Sequence, residues 1–302
     1  MSETPATKAL PRDIASLAVC SLIWGTTWFA IKLEVGAVPV FNSVVYRFAL
    51  AAALLVVFCV VTRRTLGLSL GQHLLVLGQG LSGFTVQYAC VYLAEERIAS
   101  GAMAVIFAAT PFVNLVLFRL LLRQRASILA WAGTLLGLGG VACMSVAEIR
   151  AAGDGDIGVL LALVGVLAAA VSNLFASKVQ AAGVATAAGT AWAMGYGAAL
   201  LAVVVTVTGG RWRFDPSVGY VGGLLYLTVF GSVTAFIVYY SLARRRGYAF
   251  ASYVAALTPP TAMLVSWLFE GARWGLAAFA GLVLVLAGQG LLIRATRSRA
   301  AA

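Results

Sequence analysis

Aromatic side chains recur at helical spacing inside long apolar runs. Trp24 and Trp28 lie four residues apart, and Phe84, Tyr88 and Tyr92 continue the same spacing in a later run. Residues four apart share one helix face, so each set predicts an aromatic stripe. Together with nearby amides and hydroxyls, such stripes would suit noncovalent binding of a modest-sized amphipathic solute. Anchoring at a membrane interface is the alternative for those rings that lie near the end of a run.

Basic residues at or inside the apolar runs are the second chemical feature. Lys32 and Lys178 each end a run and could draw a carboxylate-bearing solute, or could snorkel to the membrane interface. Arg47 lies deeper, where a charge costs roughly 2.5–3.5 kcal/mol on insertion scales. We expect Arg47 to have a partner or a water-filled vestibule, and both a structural role and substrate contact remain open.

The sequence lacks the usual signatures of catalysis. His73 is its only histidine, and no HExxH, Walker A or Cys/His metal pattern occurs. We therefore expect no enzymatic activity, no metal and no cofactor. Since no Asp or Glu falls in the middle of an apolar run, and proton-coupled carriers often use one there, facilitated movement down a gradient is favoured.

Composition places these residues in a membrane. Of 302 residues, 62% are hydrophobic and only 10% are charged, whereas soluble domains carry about 25% charged residues. The net charge of +11 comes from short basic clusters between apolar runs. Such clusters are typical of membrane orientation, so we expect contact with membrane lipids and no nucleic-acid partner.

The apolar runs predict an all-α membrane protein. A helix is required because backbone exposed to lipid must form its hydrogen bonds internally. Ten transmembrane helices are predicted at 13–33, 43–61, 74–94, 98–118, 127–147, 158–179, 186–208, 220–242, 249–269 and 275–293.

Lysines and arginines distribute unequally between the two predicted faces. One face holds only Arg97, Arg150, Arg211, Arg213 and Arg273, while the other loop lysines and arginines lie opposite. Because basic loops stay cytoplasmic, both the N and C termini are predicted to be cytoplasmic.

The chain repeats itself. Thr110-Pro111 recurs as Thr258-Pro259, 148 residues downstream, and Phe29-Ala30-Ile31-Lys32 resembles Phe175-Ala176-Ser177-Lys178. We predict a first five-helix repeat over 13–147 and a second over 158–293. An odd number of spans inserts the copies in opposite senses, so they form inverted repeats with a substrate path between them.

Pro111 and Pro259 are predicted to lie inside helices, where proline removes a backbone hydrogen bond and kinks the chain. The two kinks could serve as hinges on which the halves rock, or could be static bends that shape packing.

Several motifs carry a family resemblance. Trp24-Gly25-x-x-Trp28, Arg47-Phe48, the Thr-Pro pairs and the duplicated halves together resemble the EamA-type branch of the drug/metabolite transporter superfamily. The resemblance covers essentially the whole chain. Similar members are inner-membrane exporters of amino acids and other metabolites, and the YddG-related aromatic amino-acid exporters are similar in character.

The resemblance implies a central cavity built by helices one, three, four, six, eight and nine. Its expected lining is Trp24, Trp28, Gln87, Tyr88, Phe107, Asn173, Lys178, Tyr239 and Tyr253. It also implies a bacterial inner-membrane carrier that exports aromatic or hydrophobic amino acids; that the protein is a monomer is a separate expectation. A carrier of nucleotide sugars, quaternary amines or drugs, and a membrane scaffold without transport, are the alternatives.

Overall fold

The computed structural model describes residues 11–123, 126–151, 154–251 and 253–300, and every regular element in these ranges is a helix. The helices are α1 (Pro11–Lys32), α2 (Val40–Val61), α3 (Leu70–Glu95), α4 (Ser100–Leu121), α5 (Ile128–Ala151), α6 (Gly155–Ala181), α7 (Thr186–Val207), α8 (Val218–Arg246), α9 (Tyr253–Phe269) and α10 (Leu276–Ala300). One further helical turn, Tyr248–Ala251, precedes α9.

Length and composition make eight helices, α1 to α8, capable of crossing a membrane. Within the described residues, α9 and α10 supply shorter apolar stretches, Leu257–Phe269 and Leu276–Leu292. The predicted bounds of the first eight spans agree with the helices to about one turn. The all-helical class is confirmed and the chain is a multi-pass membrane protein, while the count of ten spans stays a prediction.

Local chemistry explains where helices begin and end. Ser69 Oγ accepts from the Gln72 backbone N–H at 3.3 Å, and Gln72 Oε1 accepts from the Ser69 N–H at 2.9 Å. This reciprocal capping box satisfies backbone donors at the start of α3. After α6, Gly183 has a φ of 78°, a left-handed conformation that glycine adopts without steric cost.

Two helices contain a π-helical stretch, Leu81–Val86 in α3 and Leu227–Thr234 in α8. Each stretch includes a glycine that faces another helix. A Cβ on Gly83 would lie 2.8 Å from Ser172 Cβ, and one on Gly231 would lie 2.8 Å from Thr27 Cγ2. The glycines therefore permit close packing of α3 on α6 and of α8 on α1. Short π-helical stretches such as these are frequent at functional sites.

Helix α4 is broken into two segments, Ser100–Phe107 and Thr110–Leu121, and Pro111 occupies the first turn of the second segment. The sequence predicted that Pro111 lies inside a helix and kinks it; Pro111 instead follows a break in α4, at the start of the second segment. Proline is tolerated in a first turn because its missing N–H would have no helical partner there. The Thr110 hydroxyl donates to the Phe107 carbonyl at 2.7 Å. Pro259 does lie inside its helix, next to Pro260.

The contacts between helices are symmetric with respect to the two parts of the chain, α1 to α5 and α6 to α10. Helix α2 packs on α7, and α5 packs on α10. Helix α1 packs on α9 while α4 packs on α6, and α1 contacts α8 while α3 contacts α6. Replacing each helix by the one five places along the chain converts this set of contacts into itself.

Small residues bring α5 and α10 into backbone contact. A Cβ on Gly140 would lie 2.5 Å from the Gly281 carbonyl oxygen, and one on Gly133 would lie 2.6 Å from the Gly288 carbonyl oxygen. Close approach through small residues is a common way for helices to associate in lipid. We call these four positions the glycine seam.

Candidate functional site

A central cavity lies between helices of the first part of the chain, α1 to α5, and helices of the second part, α6 to α10. Its empty volume is about 970 Å³, part of which is open to solvent. Residues of α1, α3, α4, α6, α8 and α9 line it, and Arg47 joins them from α2.

Aromatic rings form much of the cavity wall. The Trp24 ring lies 5.3 Å from Phe236 and 5.2 Å from Tyr239, and the Trp28 ring lies 5.1 Å from Phe107. These centroid distances and the tilted geometries are those that aromatic pairs prefer. The wall therefore offers a flat or cyclic solute several ring faces and edges.

The π-helical stretch of α8 fixes one of these rings. Trp24 Nε1 donates to the Gly231 carbonyl at 3.3 Å. One residue further, a Cβ on Gly25 would lie 2.6 Å from Thr261 Cβ, so α1 and α9 are in close contact behind the ring. Glycine at position 25 thus permits the packing that holds Trp24 against the cavity.

Arg47 is buried at the wall with 1% of its surface exposed. Its Nε donates to Ser232 Oγ at 2.9 Å and its Nη1 donates to the Tyr92 hydroxyl at 3.4 Å. The guanidinium carbon lies 4.7 Å from the Tyr88 ring centroid and 5.1 Å from that of Phe48. Ring faces and hydroxyls thus solvate the cation in place of water.

Glu34 partly compensates the charge of Arg47, and the Tyr92 hydroxyl lies between the two groups. The Tyr92 hydroxyl donates to Glu34 Oε2 at 2.8 Å, which links Arg47, Tyr92 and Glu34 in series. Glu34 lies in the loop between α1 and α2 and is 1% exposed. Burial raises the pKa of its carboxyl to about 7, although the Tyr92 hydrogen bond and the Arg47 charge act in the opposite direction.

Two polar atoms in the cavity wall are buried without a hydrogen-bond partner among the residues described. They are the Trp28 Nε1 donor and the Asn114 Oδ1 acceptor. Unpaired buried polar groups are costly, so a solute that offered a complementary acceptor and donor would gain affinity here.

Helices α4 and α9 diverge beside the cavity. The first segment of α4, Ser100–Phe107, packs along α9, whereas the second, Thr110–Leu121, packs on α6. A Cβ on Gly101 would lie 2.5 Å from the Trp274 ring, so the first segment is in tight contact. Asn114 on one side and Val254 on the other then line the gap.

Charged groups join the helices where α4 and α9 are packed. Lys32 Nζ donates to the carbonyls of Glu95 and Ile98 and lies 3.8 Å from Glu95 Oε2. Ser100 Oγ donates to Glu95 Oε2 at 2.9 Å, and its backbone N–H donates to Glu270 Oε2 at 3.3 Å. Ends of α1, α3, α4 and α9 are thereby tied together.

The structure brings most of the predicted lining residues together. Those at the cavity wall are Trp24, Trp28, Gln87, Tyr88, Phe107, Asn173 and Tyr239. Lys178 is exposed near the end of α6 and does not line the cavity. The Tyr253 side chain lies outside the described residues. Pro111 lines the cavity, whereas Pro259 is buried in α9 beside the lining residue Thr258.

Sequence reasoning missed several polar residues of the site. Asn114 was not singled out, and Ser232 gave no signal beyond its place in an apolar run. Glu34 and Glu95 each directly follow a predicted span, at 13–33 and 74–94, yet both are fully buried. A usable signal for Glu34 was that it is the acid nearest to Arg47 in the sequence, because a buried arginine needs a countercharge.

Comparison with known proteins gives consistent matches. The model of the EamA-like transporter family matches residues 13–146 and 156–294. The chain is 27% identical over 259 residues to YedA, an uncharacterized inner membrane transporter of Escherichia coli K12, covering 81% of this chain and 78% of YedA. It is 30% identical over 118 residues to PagO of Salmonella typhimurium, covering 39% of each chain, so this match spans about two fifths of PagO.

A solved structure, described only as the crystal structure of a protein, has a similar fold. Its TM-score is 0.70 at 18% identity, with 95% of this chain and 98% of the other covered.

Proposed function

The chain belongs to the EamA-like transporter family, and on that premise we propose that this membrane transporter exports amino acids, chiefly aromatic and hydrophobic ones, and related metabolites. Transport proceeds by alternating access through the central cavity. The resemblance to aromatic amino-acid exporters noted in the sequence supports this substrate class.

The cavity wall is the observation that carries the proposal. Trp24, Trp28, Phe107 and Tyr239 supply ring surfaces for an aromatic or branched side chain, while Arg47 supplies a positive charge. Apolar walls with a few placed polar groups are typical of sites that take amphipathic small molecules.

The divergence of α4 and α9 supports alternating access. The helices pack together at the face that carries Lys32, Glu95 and Glu270, and they separate beyond Thr110. Arg119 and Arg123, at the end of α4 on the separated side, favour a cytoplasmic location by the distribution of basic residues. The described conformation is thus proposed to be open to the cytoplasm, from which an exporter loads.

The proposed membrane arrangement follows the same logic. Ten spans form two inverted five-helix repeats, over 13–147 and 158–293, with both termini in the cytoplasm of a bacterium and the helices in its inner membrane. The exchange of packing partners between the two parts of the chain supports the repeat. A single chain encloses the cavity, which is consistent with a monomer.

Proteoliposomes test this function. Full-length protein would be reconstituted and given a panel of labelled amino acids, with and without a pH gradient. We expect phenylalanine, tryptophan and leucine to move faster than aspartate or lysine. Trp24→Ala should reduce this flux, and Trp131→Ala, a change at a partly exposed ring of α5, should not.

The outcomes separate the parts of the proposal. Flux of no amino acid above the rate in empty liposomes would remove the substrate class. Flux that requires the gradient would replace facilitated movement by proton-coupled transport.

A further inference from the structure

Arg47 occupies an unusual position for a buried cation. It lines the cavity, yet among the described residues no carboxylate lies within 4.0 Å of its guanidinium. Its described hydrogen bonds use Nε and Nη1 and go to two neutral hydroxyls, Ser232 and Tyr92. A buried arginine in such a setting gains most from an anionic, bidentate partner.

The nearest balancing charge is held away from Arg47 by one side chain. Glu34 accepts from the Tyr92 hydroxyl at 2.8 Å, and the same hydroxyl accepts from Arg47 at 3.4 Å. The second Glu34 oxygen, Oε1, is buried without a partner among the described residues. Arg47 therefore has the cavity on one side and an indirect counterion on the other.

Resting on the proposed function, we infer that Arg47 binds the carboxylate of the transported solute, and that Glu34, acting through Tyr92, is the internal anion with which this carboxylate competes. The cavity thus selects carboxylate-bearing aromatic solutes over their neutral analogues. Glu34 acts as a positioning residue, because it lowers the affinity of Arg47 for an external anion without contacting the solute.

Competition between Glu34 and the solute carboxylate predicts that some variants bind a carboxylate more tightly, which a merely structural role of Glu34 does not predict. Glu34→Gln removes the internal counterion of Arg47, and Tyr92→Phe removes the hydrogen bond that stabilises the charged form of Glu34. An external carboxylate then binds more tightly, while a neutral ligand of the same shape is unaffected. Loss of fold cannot imitate this result, since a damaged cavity does not gain affinity for one ligand of a matched pair.

The test uses two ligands of nearly the same shape, phenylacetate, which is an anion, and phenylacetamide, which is neutral. Their binding to full-length protein in detergent would be followed by tryptophan fluorescence at pH 8, since Trp24 and Trp28 line the cavity. Glu34→Gln and Tyr92→Phe are the test variants. Glu96→Gln is the matched control, because Glu96 is a partly exposed acid of the same face, paired with Arg97 at 3.1 Å.

In Glu34→Gln and Tyr92→Phe we expect phenylacetate to bind about tenfold more tightly, as when a competing charge leaves a low-dielectric site. Phenylacetamide should bind equally to both variants and the wild type, and Glu96→Gln should behave as wild type. Equal changes for both ligands, no change, or weaker phenylacetate binding would overturn the inference, as would failure of the wild type to bind phenylacetate.

The result is separable from that of the transport assay. If the variants bind phenylacetate alone more tightly and no amino acid is transported, Arg47 is supported as the anion site and amino acids are rejected as the transported solute. Amino-acid flux without charge-selective gain would keep the proposed function and reject this role of Arg47.

Discussion

The link from Arg47 through Tyr92 to Glu34 shows how a charge can be held in the interior of a membrane protein. Arg47 is surrounded by hydroxyls and ring faces, and Glu34 is held by one hydroxyl hydrogen bond. Each ion is partly compensated and neither is neutralised, because a tyrosine separates them. Such partial compensation leaves the charge responsive to what enters the cavity.

Glu34 should make stability depend on pH. Burial raises the pKa of its carboxyl from 4.5 to about 7, against the opposing effects of Tyr92 and Arg47, with Tyr220 also nearby. The folded protein therefore binds this proton more tightly than the unfolded chain. Its stabilising effect is full below pH 4.5 and is lost as the pH rises through about 7.

Glu34→Gln removes this dependence, so its Tm relative to wild type should rise between pH 5 and pH 8. The limit is about 1.4 kcal/mol per pH unit. Thermal unfolding in detergent across this range measures it, with Glu96→Gln as control. A constant difference in Tm between Glu34→Gln and wild type would contradict the assignment.

The location of side chains could be predicted where aromatic residues repeat at helical spacing. Spacing predicted that Trp24 and Trp28 share one helix face and that Tyr88 belongs to an aromatic stripe, and the family resemblance implied that these rings line the cavity, as they do. Tyr92 was open to reading as an interfacial anchor, yet it is fully buried between Arg47 and Glu34. That contact joins α2, α3 and a loop, which no single-helix pattern contains.

At the scale of elements, the glycine seam between α5 and α10 tests whether backbone contact holds these helices. Gly140→Leu should lower stability by roughly 1–3 kcal/mol, because its side chain would strike the Gly281 carbonyl and the Val285 N–H. Gly139→Leu is the matched control, since a Cβ there meets nothing within 4 Å. Thermal unfolding measures both, and equal effects would exclude a specific contact at the seam.

The prolines of α4 and α9 test the hinge hypothesis. In Pro111→Ala the new N–H can bond to the Phe107 carbonyl, which now accepts from the Thr110 hydroxyl at 2.7 Å, and α4 can become continuous. If the break moves during transport, Pro111→Ala with Pro259→Ala should slow turnover several-fold with little change in solute affinity.

Flux and binding would both be measured, with Pro216→Ala in the exposed loop before α8 as control. Unchanged transport would count against the hinge. A loss of affinity at unchanged turnover would favour a static bend.

The elements themselves followed from composition, but their interruptions did not. Apolar runs located the first eight helices to about one turn, because lipid demands both apolar side chains and helical backbone. The break at Ala108 and Ala109 and the π-helical stretch at Leu227–Thr234 depend on contacts with other helices. Pro111 did predict a kink near the first of these, but single-sequence periodicity treats each helix as straight and regular, so it could not give the extent of the break or find the π-helical stretch.

For the whole molecule, the inverted repeat predicts where the ends of the chain lie. An even number of spans returns the C terminus to the face from which the N terminus enters, and the basic clusters predict that this face is cytoplasmic. Reporter fusions at each terminus should both give a cytoplasmic signal. Signals from opposite faces would require an odd number of spans, which would disprove both the count of ten and the insertion of two five-helix repeats in opposite senses.

The duplication was visible in the sequence, whereas the conformation was not. The Thr-Pro pairs at 110–111 and 258–259 are near-identical in sequence, yet Pro111 begins a segment and Pro259 lies within one. The repeat in the sequence therefore predicted equivalent helices, but not the different backbone at the two Thr-Pro pairs.

The glycine seam has a consequence for genetics. None of its residues lines the cavity, yet Gly133 and Gly140 tolerate no side chain because carbonyl oxygens of α10 fill the space. A growth-based screen for inactive alleles would therefore score these remote positions as harshly as the tryptophans of the cavity wall. Only alleles that keep normal expression levels can be assigned to solute recognition.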